Sequence, residues 1–223
     1  MTGANTDPFA RQPCVLLTGF DPFGGQPINP SWQAVQMLHG AAVSGHRIVA
    51  AQLPTVFGQS VQSLHGLLCQ HRPTLVLCTG QAGGRGALSL ERVAINVEDA
   101  RIPDNAGAQP VDVPVQPDGP AAYFTTLPIK AMLAALLAEG LRAEVSQSAG
   151  TYVCNHVFYG LMHLLATDAQ WRGVRGGMVH VPWLPQQGQP SMPADEIAQG
   201  LRIAIRTALT HRADIRLEAG ALS

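Results

Sequence analysis

Cys154 stands in the run Ser148-Ala-Gly-Thr-Tyr-Val-Cys-Asn-His156, where a strand-like segment gives way to an apolar segment of helical spacing. A thiol in the first turn of a helix sits among backbone N–H groups that lack intrahelical partners, at the positive end of the helix dipole. Both features favour thiolate over thiol, which is the setting of a nucleophile. A plain packing role stays open on this chemistry alone. The other cysteines read as inert. Cys78 lies in the apolar strand Leu75-Val-Leu-Cys, and Cys69 follows Leu67 and Leu68 on a helix face, where a free cysteine behaves as a small buried hydrophobe. Cys14 opens the first strand with no activator beside it in sequence.

A thiolate needs a base. His180, in Gly176-Gly-Met-Val-His-Val-Pro-Trp183, falls near the carboxyl end of a buried strand, where α/β folds display catalytic groups. A satisfied core histidine is the competing reading. His39, His46, His65, His71 and His211 fall at element ends or on polar faces. His156 is two residues beyond Cys154 and points to a different side of a helix, and His163 is further still, so both read as packing or surface histidines. A carboxylate would orient the imidazole and stabilise its cation. Glu91, Glu98, Asp99 and Asp104 are candidates, and spacing does not choose among them.

These groups need a scaffold. Apolar runs rich in Val, Ile and Leu predict strands over 14–20, 47–53, 74–80, 87–97, 143–147 and 177–184, the fourth of which could instead form part of a hairpin. Apolar residues at i, i+3, i+4 and i+7 predict helices over 30–38, 59–71, 128–139, 152–166 and 194–211. Asn29 before Pro30 reads as N-cap then N1, Pro128 opens its helix in the same way, and Gly140 closes it. The alternation predicts an α/β fold, a single-domain α/β/α sandwich with a twisted, mostly parallel central sheet. Residues 13–223 form the expected domain, after a polar extension over 1–12 that reads as disordered. The Pro-, Gly- and Asp-rich segment 100–120 is too long for an ordinary connection and is expected to wall the site.

Two Gly-bearing loops, Thr18-Gly-Phe-Asp-Pro-Phe-Gly-Gly25 and Gly80-Gln-Ala-Gly-Gly-Arg85, follow strands and open at the carboxyl end of the sheet. Neither has the spacing of a phosphate or dinucleotide loop. Phe20 and Phe23 are either a clamp for a flat ligand or core. Fourteen Lys plus Arg against 15 Asp plus Glu provide no handle for nucleic acid or an acidic membrane, so a small neutral partner is expected. No apolar run reaches the roughly 18 residues of a membrane span, and the N-terminus lacks the pattern of a signal peptide. The expected location is cytoplasmic. Four cysteines without C-x-x-C spacing predict free thiols. No zinc-ligand spacing occurs, so no metal and no cofactor are expected.

Five motifs, Thr18-Gly-Phe-Asp-Pro-Phe-Gly-Gly25, Leu90-Glu-Arg-Val-Ala-Ile-Asn96, Asp99-Ala-Arg-Ile-Pro-Asp-Asn105, Ser148-Ala-Gly-Thr-Tyr-Val-Cys-Asn155 and Val179-His-Val-Pro182, together resemble those of pyroglutamyl-peptidase I, the pyrrolidone-carboxylate peptidases. The resemblance runs over about residues 15–209. It implies a cysteine peptidase that removes N-terminal pyroglutamate through a thioester, with Cys154 as nucleophile, His180 as base and acid, and Glu91 orienting His180. It further implies a ring pocket of Phe20, Phe23, Gln81, Ile102, Tyr152 and Val153, with Arg101 and the Cys154 N–H at the oxyanion, and a homotetramer. Gly86 stands where a hydroxyl residue is common, and the stretch from Thr210 onward has no counterpart. A nucleoside-phosphorylase-like enzyme and a non-catalytic binder of pyroglutamyl peptides are the alternatives.

Overall fold

The computed structural model describes residues 12–220, so the expected extension lies, for residues 1–11, outside the described residues. A seven-stranded sheet of order β2-β3-β1-β4-β9-β5-β8 forms the middle layer. Its members are β1 (Cys14–Phe20), β2 (Ala42–Val43), β3 (His46–Leu53), β4 (Leu75–Gln81), β5 (Leu88–Glu91), β8 (Ala143–Ser146) and β9 (Arg175–Val181). The central neighbours β3, β1, β4 and β9 are parallel, whereas β5 runs antiparallel to β9 and carries β8 parallel to itself.

Alternation along each strand builds both faces. In β1, Val15 and Leu17 pack with α1 (Pro30–Gln36), α3 (Ile129–Ala138) and α5 (Ala194–Thr210), while Cys14 and Leu16 pack with α2 (Gln59–His71) and α4 (Val153–Thr167). The result is three layers with an apolar core on each side of the sheet, each fully buried Leu or Val contributing about 1.5–3 kcal/mol. Asn29 caps α1 as its side chain accepts from Ser31 N–H at 3.0 Å, with Pro30 at N1. Pro128 is the N-cap of α3 rather than its first helical residue, and Gly140 turns the chain out of it at φ 75°.

Three local expectations change. The stretch 87–97 breaks at Arg92: β5 stays in the main sheet, and β6 (Val93–Ile95) leaves it to pair antiparallel with β7 (Ala122–Phe124). The break follows because Arg92 N–H is held by Ser146 O, at the last residue of β8, beyond which the main sheet offers no partner. Neither β2 nor β7 was predicted, since two or three residues are too short to show a period. Cys69 is exposed, its Sγ 3.7 Å from His65 Nε2, because α2 buries Ser60, Leu64 and Leu68 and the next position turns away from that face. No helix among the described residues is long and apolar enough to cross a membrane.

Candidate active site

Strand alternation also aims the site. Val179 and Val181 of β9 face one core, which sends His180 to the other face, toward α4. On β5, Leu88 and Leu90 likewise leave Glu91 on the α4 side, and on β4 Cys78 and Gly80 point there too. The chain enters α4 through Gly150, whose φ of 76° few side chains tolerate, and Tyr152, extended at the N-cap. The first backbone hydrogen bond of α4 joins His156 N–H to Tyr152 O, so the N–H of Cys154 lies in the unpaired first turn.

Three of the predicted residues meet. His180 Nδ1 lies 2.7 Å from Glu91 Oε1, and Cys154 Sγ and His180 Nε2 come together beside Gly80. Burial alone would disfavour the imidazolium. The sulfur of Cys154 and the carboxylate of Glu91 outweigh it and raise His180 to about 9. Burial likewise pushes the Glu91 carboxyl up, but His180, Ser146 and Arg85 together bring it below the usual carboxylate range. Cys78, by contrast, is buried and pushed up to about 12, which leaves it an inert thiol.

The remaining carboxylates are committed elsewhere. Glu98 Oε1 is 2.6 Å from His156 Nδ1, while His156 Nε2 accepts from Gly58 N–H at 2.9 Å, so this second acid–histidine pair clasps the start of α2. Asp104 accepts from the N–H groups of Phe57, Ala106 and Ala108. Asp99 is exposed, with its backbone bound to Thr151. Asn155 holds β6 to α4 by bonds to Ile95 and Val97.

Cys154 and His180 open onto a cavity of about 170 Å³ whose walls include Phe20, Phe23, Gln81, Ala149 and Tyr152. That space suits one small ring rather than a drug-sized ligand, which typically needs about 300–1,000 Å³. Phe20 is 1% exposed and belongs to the core as well as the wall, whereas Phe23 leans on Tyr152 at 5.8 Å between ring centroids. Of the polar wall groups, Asn29 and Thr55 are bound to Asp21, and Gln81 Oε1 accepts from Gln187 at 3.3 Å. Three residues placed at the site by resemblance are not on this wall. Val153 is fully buried because adjacent helix positions point about 100° apart, putting it under α4 rather than beside the cavity. Arg101 and Ile102 are exposed on the 100–120 segment. That segment supports the wall from behind instead: Pro103 O accepts from Tyr152 Oη at 3.0 Å, and Asn105 donates to Pro22 O at 2.9 Å.

Arg85 is the residue that sequence reasoning passed over. Its guanidinium lies 2.7 Å from Glu91 Oε1, and its side chain lines the cavity. The available signal was a cation closing the glycine-bearing loop after β4. A separate surface hollow of about 290 Å³, lined by Glu139, Arg202 and Arg206 among others, contains no cysteine or histidine. Among the described residues no group of three or more His, Cys, Asp or Glu is placed to hold a metal ion.

Gly80 sets how closely these groups approach. A Cβ there would lie 2.6 Å from Cys154 Sγ and 3.3 Å from His180 Cδ2. Gly80→Ala therefore displaces the sulfur and is expected to lower kcat/KM by about 10²-fold, the cost of roughly 1 Å of misplacement. Steady-state kinetics beside a thermal melt check this, and a variant as active as wild type would refute it.

The arrangement can attack an acyl carbon, store the acyl group on sulfur and shuttle one proton. A family model described as pyroglutamyl peptidase matches residues 14–211. A pyrrolidone-carboxylate peptidase of Cupriavidus taiwanensis is 57% identical over 215 residues, covering 94% of this chain and 99% of that protein. The crystal structure of pyroglutamyl peptidase I from Bacillus amyloliquefaciens superposes with a TM-score of 0.90 at 48% identity, over 93% of this chain and 100% of that one. The pyrrolidone carboxyl peptidase from Thermococcus litoralis gives 0.89 at 32% identity, with the same coverage.

Proposed function

This chain belongs to the pyroglutamyl peptidase family, and from that premise we propose that Cys154 is its nucleophile, His180 its general acid and base, and Glu91 the group that orients His180. The protein is a cysteine peptidase that removes N-terminal pyroglutamate from peptides. The observation that carries the assignment of roles is the His180–Glu91 hydrogen bond with Cys154 beside the imidazole at the wall of a ring-sized cavity. The nucleoside-phosphorylase and binder alternatives have no support: the relatives are peptidases, and Arg85, the cation on the cavity wall, is taken up by Glu91.

A pyroglutamyl terminus is a lactam without an ammonium group, so recognition rests on ring faces and on its N–H and C=O. Phe20, Phe23 and Tyr152 supply the faces, and Gln81 supplies an amide. Cys154 Sγ attacks the scissile carbonyl carbon, and the oxyanion forms beside the Cys154 N–H. His180 Nε2 gives its proton to the departing amine as the C–N bond breaks, leaving a thioester. Neutral His180 then takes a proton from water. The hydroxide adds to the thioester, the C–S bond breaks, and pyroglutamate leaves with the thiolate and imidazolium restored.

The test is release of pyroglutamate from a pyroglutamyl-aminoacyl amide by the wild type and by Cys154→Ala. A silent wild type would refute the activity, and equal cleavage by Cys154→Ala would refute the assigned nucleophile. The pH dependence has a defined sign. His180 must carry the proton it delivers, so the rate is expected to fall as pH rises through about 9.

A further inference from the structure

Glu91 carries its charge in an unusual way. One oxygen, Oε1, receives both His180 Nδ1 and Arg85 Nη1, each at 2.7 Å, while the other, Oε2, is buried with no hydrogen-bond partner among the described residues. The Glu91 side chain is fully buried and that of Arg85 is 30% exposed. The same guanidinium continues past the carboxylate: Nη1 lies 3.3 Å from Ser146 Oγ, and Nη2 donates to Ser148 O at 3.0 Å. Ser148 begins the approach to Cys154, and its neighbours Ala149 and Gly150 line the cavity.

Resting on the catalytic roles proposed above, we infer that Arg85 is a positioning residue for the peptidase reaction, fixing Glu91 Oε1 on His180 and tying the 148–150 wall to the acid–base pair. An ordinary exposed ion pair contributes about 0–1 kcal/mol and would not matter. This pair differs because its acid is buried: without Arg85, the carboxylate keeps one hydrogen bond, free rotation about that bond, and the full cost of burial. Two donors converging on one oxygen from different elements remove that rotation. The imidazole then presents one edge to Glu91 and the other to Cys154.

The charged and titratable groups facing Glu91 come from every packed element. They are His180 of β9, Arg85 of the loop after β4, Cys154 of α4 by way of His180, and Cys78 of β4 beyond Cys154. From β8, beside the neutral Ser146 and one pleat away, comes Glu144, which accepts from Ser89 Oγ at 2.7 Å instead. Arg85 is the one permanent cation in this set. Removing a cation makes each coupled acid hold its proton to higher pH, so both limbs of the activity profile move in the alkaline direction.

The experiment measures kcat and KM from pH 5 to 10 for wild type, Arg85→Met and Arg85→Lys, with a thermal melt of each. Arg85→Met is expected to move the acid limb of kcat/KM up by about 1 pH unit and to lower kcat at its optimum by about 10- to 100-fold, with KM little changed. Arg85→Lys is expected to return the limb most of the way. If Arg85→Met does not fold, Arg85→Gln keeps donors for Ser148 O without the charge and should show the same alkaline shift. A profile that superimposes on wild type, whatever the melting temperature, would overturn the inference, as would a change confined to KM. Cys154→Ala and Glu91→Gln measured alongside separate the two levels. If either cleaves like wild type, the catalytic roles themselves fail; if both are impaired and Arg85→Met keeps the wild-type profile, only the role of Arg85 fails.

Discussion

Cys154→Ala is expected to reduce pyroglutamate release by roughly 10⁴–10⁶-fold, the range seen when a covalent nucleophile is lost. Among the described residues no second thiol can replace it, because Cys78, the other cysteine near the site, is buried with its thiol pushed up to about 12. The fold should survive the change. Cys154 is half-buried, and the α4 core rests on Val153, Val157, Phe158 and Leu161 instead. Loss of activity with an unchanged melting temperature, within a few degrees, is therefore the expected pair of results. Comparable loss accompanied by unfolding would return Cys154 to a packing role.

His180→Ala comes next in size, at roughly 10³–10⁵-fold. Two losses combine in it. No group remains to protonate the leaving amine, and the thiolate loses the imidazolium that accompanies it. This substitution also touches stability, since Glu91 keeps Arg85 but loses its other hydrogen bond, at a cost of about 1–3 kcal/mol. Residues that act as a unit are not additive, so the double variant Cys154→Ala/His180→Ala should be scarcely slower than Cys154→Ala alone. A further fall by the full single-site factor would show that His180 acts independently of the thiol. Glu91→Gln should lose less than Cys154→Ala, because it removes orientation and charge but neither the nucleophile nor the proton carrier.

The layers were legible in sequence wherever a period was long enough to read. Strand β1 was expected over 14–20 and occupies Cys14–Phe20, and α2 was expected over 59–71 and occupies Gln59–His71. Alternation and helical spacing are local properties, set by which side chains a strand or helix must bury. Where the pattern was short or ambiguous the reading failed. The 87–97 stretch is apolar apart from Ser89, Glu91, Arg92 and Asn96, and its pattern does not say which sheet the residues beyond Arg92 join.

The same division holds for the site. Cys154 at a helix start and His180 in a buried strand followed from the sequence alone, because each depends on the element that carries it. The partner of His180 did not. Glu91, Glu98, Asp99 and Asp104 lie within 14 positions of one another, and the family motifs singled out Glu91 where spacing was silent. Their separation is decided by folding: β5 beside β9 sets Glu91 against His180 across 89 positions, while Glu98 goes to His156 and Asp104 to the turn at Phe57. The role of Arg85 was not legible for the same reason, since a lone cation closing a glycine-bearing loop acquires its role from the buried oxygen it meets. Sequence by itself determined the periods, the layers and the chemistry of the thiol. Tertiary structure decided which charges share a desolvated space, because that depends on contacts between elements and not on the propensity of any one of them.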